Sequence, residues 1–218
     1  VYSDRMEMPD APTLASVFHD AGYQTIAVGK LHVYPQRSRI GFDEALITEE
    51  GRYEFGVTDD HQIWLGEHGY TGEQFMHGMG NNTYYTRPWQ LGEEAHETSW
   101  VTKMMMKEMM RHDPTRPAFF FVSYQYPHPP LVPLPAFLEK YRDAELDPSY
   151  QDDWADSWII REMRKMASSY SEREKDEARR AFMAQCTHID YSIRMLLGTL
   201  RELSMLDDTI IVFMSDHG

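Results

Sequence analysis

Three stretches of the chain carry apolar residues with the spacing of an α-helix. Residues 13–21 place them at i, i+3, i+4 and i+7, and Gly22 follows at the position of a C-terminal cap. In residues 98–111 a basic residue recurs every four positions, so the methionines between them are predicted to face a core. Residues 172–203 repeat apolar positions in steps of four and three, the spacing of a helical packing seam. These apolar residues are Leu14, Val17, Phe18 and Ala21 in the first stretch and Phe182, Cys186, Ile189, Ile193, Leu196, Leu200 and Leu203 in the third.

Each predicted helix is followed by a short apolar run that predicts a buried strand, at residues 25–28, 118–123 and 209–214. The second run has no polar alternation, which is typical of a strand covered on both faces of a parallel sheet. The segments 41–97 and 131–170 are rich in Gly, Pro, aromatic or charged residues and are predicted to be irregular, with short helices. One such helix begins near Asp59 or Asp60, either of which can cap it.

Successive helix-then-strand units predict an α/β fold in which a mostly parallel sheet carries helices on both faces. In open sheets of this kind, ligands bind outside the carboxyl ends of the strands. All three predicted strands end in polar residues with reactive side chains. These residues are Lys30 and His32, then His128, then Asp216 and His217. A functional site is therefore predicted at this edge of the sheet.

The composition narrows the partners of such a site. The 218 residues contain 21 Lys and Arg against 35 Asp and Glu, a formal net charge of −14 that repels nucleic acid and anionic membranes. No apolar run approaches the roughly 20 residues that span a bilayer. Cys186 is the single cysteine, so neither an internal disulfide nor a Cys-rich zinc site is expected. An anionic substrate would need a local positive site or a metal.

The candidate residues together suit a tetrahedral oxyanion. Lys30, His32 and His128 offer cationic hydrogen-bond donors, while Asp216 and His217 offer metal ligands, as hydrolysis of a sulfate or phosphate ester requires. Each residue also has an ordinary interpretation. A lysine is usually a solvated surface charge, a histidine between prolines can be a turn residue, and an aspartate after a strand often caps a helix.

Three segments match a known family in order and approximate spacing. Residues 21–32, AGYQTIAVGKLH, are similar to a G-Y-x-T…G-K-x-H segment, and residues 119–130 are similar to a strand leading into P-H-x-P. Residues 187–190 followed by 209–218 are similar to a helix and then D-x-T-I-I-V-F-x-S-D-H-G. The chain thus resembles the sulfatases of the alkaline phosphatase superfamily. The resemblance implies that the chain has the α/β fold of this superfamily. It also implies that the protein is a sulfuric ester hydrolase acting on a small-molecule or saccharide sulfate.

The resemblance also implies a role for each candidate residue. Lys30 would contact the sulfate and the nucleophile, and His32 would hydrogen-bond the nucleophile and act as the base when the covalent intermediate collapses. His128 would bind sulfate oxygens and help to protonate the leaving alcohol. Asp216 would ligate a divalent metal, usually calcium. His217 stands where many members have Asn, and this softer ligand leaves manganese or zinc as alternatives.

Some family features are missing from the chain. It contains no C-x-P-x-R or S-x-P-x-R motif, whose Cys or Ser becomes the formylglycine nucleophile, and no lysine after D-H-G. Cys186 is interpreted as a core residue of the long helix. The paired metal-binding aspartates are missing too, since 59–60 precede a helix and 207–208 precede a strand. We therefore expect residues 1–218 to be the interior of a single catalytic domain, inactive alone.

Two alternatives stay open: a phosphonate or phosphate ester hydrolase of the same superfamily, and a non-catalytic remnant. The oligomeric state and the compartment also stay open. Ahead of the second helix, Thr98 is predicted to be the N-cap, with a substrate-pocket role for His96, Thr98 and Trp100 as the alternative. His188, next to a seam residue, is predicted to lie on a helix face rather than to bind a ligand.

Overall fold

The helices and the first two predicted strands follow the predicted order along the chain. The computed structural model describes residues 5–49, 57–148, 157–167 and 169–215. The strands are β1 (Gln24–Gly29), β2 (Glu44–Ile47) and β3 (Ala118–Ser123). The helices are α1 (Leu14–Asp20), α2 (Asp60–Glu67), α3 (Glu97–Arg111), α4 (Pro135–Leu138), α5 (Trp158–Ala167) and α6 (Glu172–Glu202), with 3-10 turns at Glu93–Ala95, Glu139–Tyr141 and Leu206–Asp208.

The three strands form a parallel sheet in the order β2-β1-β3. Gly29, the last residue of β1, pairs with Ile47 at the end of β2 and with Ser123 at the end of β3. The carboxyl ends of all three strands are therefore level. Gly29 has a φ of +117°, and a Cβ atom there would collide with the Ser123 carbonyl oxygen, so this position requires glycine.

Helices cover both faces of the sheet, which confirms the predicted α/β architecture. Ile26 and Val28 of β1 lie in one buried cluster with residues of α3 and α6. Ala27, whose side chain points to the opposite face, packs with Ala15 of α1 and with Phe42. Among the described residues, no helix is long and apolar enough to cross a membrane.

The prediction of an irregular segment at 41–97 missed β2. This strand has four residues, too few to display an alternating pattern, and only Ile47 in it is buried. The prediction that residues 118–123 are buried on both faces was also wrong. In the described sheet β3 is an edge strand, and Phe121 is 37% exposed.

The predicted buried strand at 209–214 is not present in the described part of the structure, which assigns no strand to residues 209–215. The apolar side chains from Ile210 to Met214 are 53% to 92% exposed. The run has the composition of a strand, but the described residues place no neighbouring strand beside it. Burial of a strand depends on such a neighbour, which composition alone does not supply.

The predicted helices are present, but two of their buried faces differ from the prediction. In α1, Leu14 and Val17 are 63% and 54% exposed, and the small residue Ala15 is the one buried against the sheet. In α6, Phe182 is 47% exposed and Cys186 is exposed. Leu196 and Leu200 of the predicted seam are buried, which confirms that part of the prediction. The other buried residues of α6 are small or polar, so an apolar pattern does not include them; they are Ala181, Ala184, Gln185, His188, Ser192 and Thr199.

Candidate functional site at the carboxyl edge of the sheet

Lys30 and His32 lie directly beyond the end of β1. The backbone N–H of Lys30 donates to the Ser123 carbonyl at 3.1 Å, which extends the β1–β3 pairing by one residue. The Lys30 side chain is half-buried, whereas His32 is exposed and has a φ of +53°. The turn after β1 therefore starts at the sheet edge and leads outward.

Glu49, which the sequence analysis did not single out, holds this turn. Its Oε1 atom accepts hydrogen bonds from the backbone N–H groups of Leu31 and His32, at 3.0 and 2.8 Å. Glu49 follows β2 by two residues and is fully buried. A single glutamate in a segment predicted to be irregular gives no periodic or motif signal. Its role depends on the β1–β2 pairing, which only the folded chain creates.

Asp59 and Asp60 lie at the carboxyl end of β2, contrary to the prediction that neither would sit at such an end. Asp59 accepts hydrogen bonds from the Gln62 and Glu49 N–H groups at 2.8 and 2.9 Å, so it caps α2, as one of the two predicted caps. Asp60 accepts from the Ile47 N–H at 2.7 Å and pairs with an arginine, Arg37. Burial raises the pKa of Asp59.

The described residues do not form a metal-binding cluster. Within residues 5–49, 57–148, 157–167 and 169–215, no group of three or more His, Cys, Asp or Glu side chains could hold a metal ion. The Asp59 carboxylate caps α2, and the Asp60 carboxylate accepts the Ile47 N–H and pairs with Arg37. The predicted ligands Asp216 and His217 lie outside the described residues.

His128 lies on the loop that follows β3. Its backbone N–H donates to the Gln125 carbonyl at 3.2 Å, and its Nδ1 lies 2.5 Å from the Pro129 carbonyl oxygen. A carbonyl oxygen only accepts hydrogen bonds, so Nδ1 carries the proton of this contact. The Nε2 atom of the half-buried ring is thus the nitrogen that remains for a ligand.

The sheet register places the turn with Lys30 and the loop with His128 at the same edge, because β1 and β3 are adjacent, parallel and level. The site at the carboxyl ends of the strands therefore has a cationic side chain on one strand end and an imidazole on the next. An open groove of about 590 Å³ lies elsewhere, between residues 142–148 and the first turns of α6, and Lys30, His32 and His128 do not line it.

The three residues predicted to form a cap or a substrate pocket ahead of α3 are buried inside the protein. His96, Thr98 and Trp100 are 1% to 2% exposed. The N-cap of α3 is His96, whose Nδ1 accepts the Thr98 N–H at 3.2 Å, so the prediction that Thr98 is the cap was wrong. His188 is also buried and lies 3.1 Å from the Ser99 hydroxyl. The sequence pattern did not indicate the contact between His188 and Ser99, because it joins two helices that are far apart in the chain.

The sequence model of the sulfatase family matches residues 5–218, and the chain belongs to that family. It is 31% identical over 233 residues to an arylsulfatase of Clostridium perfringens, covering 100% of this chain and 48% of that protein. It is 29% identical to a choline-sulfatase of Rhizobium meliloti, covering 100% of this chain and 44% of that protein. The chain thus spans about half the length of the curated relatives it matches.

Solved structures show the same fold. The phosphonate monoester hydrolase of Silicibacter pomeroyi superposes with a TM-score of 0.65 at 19% identity, covering 94% of this chain and 47% of that one. A protein solved in complex with its substrate D-glucosamine-2-N,6-O-disulfate has a TM-score of 0.61 at 16% identity, covering 94% and 50%. The chain therefore shares its fold with these two proteins.

Proposed function

We propose that the protein containing these residues is a sulfuric ester hydrolase acting on a small-molecule or saccharide sulfate monoester. The observation that carries the proposal is the placement of Lys30 and His128 at the ends of two adjacent parallel strands, in a chain of the sulfatase family. The sulfatase names of two relatives support it. On this proposal, residues 1–218 belong to one catalytic domain.

The side chains supply binding and proton transfer. Lys30 places a positive charge beside the sulfate oxygens, which a chain of net charge −14 needs at the point where an anionic ester binds. The Nδ1 proton of His128 is held by the Pro129 carbonyl. This contact orients the ring so that Nε2, when the ring carries a second proton as imidazolium, can donate to a sulfate oxygen and pass that proton to the leaving alcohol. His32, on the exposed turn, is proposed as the base of the second half-reaction.

The nucleophile and the metal are further parts of the proposal. Residues 1–218 contain no C-x-P-x-R or S-x-P-x-R motif, so the formylglycine would come from a part of the protein beyond them. Asp216 and His217 are proposed as metal ligands on the family resemblance and on their donor chemistry, with calcium first and manganese or zinc as alternatives. A bound divalent metal would supply positive charge to the sulfate group.

The test uses the complete protein and an aryl sulfate. Replacing Lys30 or His128 by Ala is expected to lower kcat by about 10²- to 10³-fold, the effect of losing one preorganised oxyanion donor. Lys103→Ala is the matched control, since Lys103 is exposed on α3, and it should leave kcat unchanged. A loss below tenfold at both Lys30 and His128 would contradict the placement of the site. Residues 1–218 alone should show no turnover.

Phosphonate ester hydrolysis is the second candidate, favoured by the structural similarity to a phosphonate monoester hydrolase. Sulfate and phosphonate monoesters both present anionic oxygens around a tetrahedral centre, so the same cationic residues suit either one. Turnover of an aryl sulfate and an aryl phosphonate should be compared in one preparation. Exclusive phosphonate turnover would establish the second candidate, and turnover of neither would indicate a non-catalytic protein.

A further inference from the structure

The loop that carries His128 is stiff between two buried ends. Three of the seven residues from 126 to 132 are proline, whose ring fixes φ. Tyr126 at one end is 8% exposed and Val132 at the other is fully buried. Groups that fix these two ends therefore determine where the His128 ring lies.

His96 contacts both ends of this loop. Its Nε2 atom lies 3.0 Å from the Val132 carbonyl oxygen, and its ring centroid lies 5.0 Å from that of Tyr126. Trp89 packs edge-on against the same imidazole at 5.3 Å. His96 is 1% exposed, so the ring touches protein on all sides and does not face solvent.

The hydrogen bonds of His96 fix its tautomer. The Val132 carbonyl can only accept, so Nε2 carries the proton, and Nδ1 accepts the Thr98 N–H at 3.2 Å. Burial lowers the pKa of His96 to about 4, so the ring stays neutral at physiological pH. One imidazole thus caps α3 through one nitrogen and holds the loop through the other.

Glu97, the next residue of α3, makes a third attachment. The side-chain amide nitrogen of Gln125 faces the Glu97 carboxylate and donates to its Oε1 atom at 3.1 Å. The backbone carbonyl of Gln125 accepts a hydrogen bond from the backbone N–H of His128. The first turn of α3 therefore contacts the loop before His128 as well as after it.

We infer that His96 is a positioning residue for His128: it fixes the ends of the 126–132 loop so that the His128 ring is aimed at the site between β1 and β3. The inference rests on the proposed function for its catalytic consequence, but the placement of the His128 ring can be measured without turnover. His96 touches no substrate in this arrangement, since it lies behind the loop.

Two substitutions separate the two hydrogen bonds of His96. His96→Asn places an acceptor near the position of Nδ1 and keeps the helix cap, for which Asn is well suited, but it does not reach Val132. His96→Gln places its amide nitrogen near the position of Nε2 and keeps the donor to Val132, but it loses the cap. Both remove the aromatic ring, and only His96→Gln loses the cap, so a larger loss of kcat in His96→Asn is due to the missing bond to the loop.

The experiment measures kcat and KM for an aryl sulfate in the complete protein, together with the side-chain ¹³C–¹H NMR resonance of His128, assigned from its loss in His128→Gln. We expect His96→Asn to lower kcat by about 10- to 100-fold, with KM changed less than threefold, because a small misplacement of a catalytic group is costly. The His128 resonance should shift. His96→Gln should retain kcat within about fivefold and keep the resonance in place.

Two controls exclude a general loss of structure. Met105→Ala empties a buried position of α3 in the cluster with Ile26 and Val28, so it should destabilise the protein without lowering kcat. His77→Asn makes the same change at another buried histidine, whose ring nitrogen accepts the Met79 N–H, and should leave kcat unchanged. Equal losses of kcat in His96→Asn and Met105→Ala, or an unmoved His128 resonance in His96→Asn, would overturn the inference.

If His96→Asn does not fold, Glu97→Gln tests the same turn with a milder change, and a fall in kcat of about three- to tenfold with a shifted His128 resonance is expected. An unchanged resonance in that variant would overturn the inference as well. Should the unmodified protein hydrolyse no sulfate ester, the proposed function fails. The NMR comparison would still decide whether His96 positions His128.

Discussion

Three buried ionisable side chains near the carboxyl edge of the sheet bind backbone groups. Glu49 accepts two N–H groups of the turn after β1, Asp59 accepts the N–H groups of Gln62 and Glu49, and His96 donates to the Val132 carbonyl. Each such group gave up hydration on burial, and these hydrogen bonds offset that loss. Lys30, His32 and His128, by contrast, are exposed or half-buried. The buried residues therefore hold the segments from which the candidate catalytic side chains extend.

Removing the Glu49 carboxylate should loosen the turn that carries Lys30 and His32. Glu49→Ala leaves two backbone N–H groups without their acceptor and is expected to lower the free energy of unfolding by about 2 to 3 kcal/mol. Glu49→Gln keeps an acceptor oxygen and should cost about 1 kcal/mol. Urea unfolding measures both values. Glu7→Ala, at an exposed position, should change the free energy by less than about 0.5 kcal/mol. A similarly small effect of Glu49→Ala would contradict the assigned role.

At the scale of secondary-structure elements, the sequence predicts where helices and strands lie better than which faces they bury. The bounds of α3, α6 and β3 agree with the prediction within one residue, because caps, turn residues and apolar runs are local signals. The buried face of a helix depends on its neighbour. In the first half of α6 the buried positions include the small residues Ala181 and Ala184, while the larger Phe182 is exposed. A pattern that weights large apolar residues therefore misses the buried face there, although it selects Leu196 and Leu200 correctly in the second half of the helix.

This assignment of the α6 face can be tested with one substitution at two positions. Ala184 is fully buried and Cys186 is exposed on the same helix. Ala184→Leu inserts extra methyl groups into a packed contact and should lower the free energy of unfolding by about 1 to 3 kcal/mol. Cys186→Leu should change it by less than about 0.5 kcal/mol. Chemical denaturation measures the free energy of unfolding of both variants. A larger loss in Cys186→Leu than in Ala184→Leu would show that Cys186 is buried, as the sequence pattern predicted.

At the scale of the whole molecule, the sequence predicted which strand ends meet at one edge of the sheet, whereas the site itself stays a prediction. A parallel sheet brings strand ends to one edge, so the positions of Lys30 and His128 along the chain were enough to place both there. Glu49 and His96 could not be predicted, because each acts on a backbone group far away in sequence. The exposed run at 210–214 shows the same dependence, since whether a strand is buried is decided by its neighbours.

The whole molecule also has a buried group of histidines that links its stability to pH. Burial lowers the pKa of His61 and His96 to about 4 and that of His188 to about 3, whereas all three titrate near 6.5 when exposed in the unfolded chain. Between these values the unfolded state binds more protons than the folded state. Above about pH 6.5 the three histidines therefore do not lower the free energy of unfolding. As the pH decreases from 6.5 toward 4, they lower it progressively. Asp59 and Glu108 act in the opposite direction, because burial raises the pKa of each.

The histidine contribution can be isolated by comparing slopes rather than single values. Each buried histidine lowers the free energy of unfolding by up to about 1.4 kcal/mol per pH unit below 6.5, which is about 2 kcal/mol between pH 7 and pH 5. His96→Gln removes one titrating group, so its loss of stability over this range should be smaller than that of the unmodified protein by about that amount. Urea unfolding at pH 7, 6 and 5 measures both slopes, and Met105→Ala, which removes no charge, should retain the unmodified slope. Equal slopes in His96→Gln and the unmodified protein would show that His96 is accessible to protons in the folded state, against its burial behind the His128 loop.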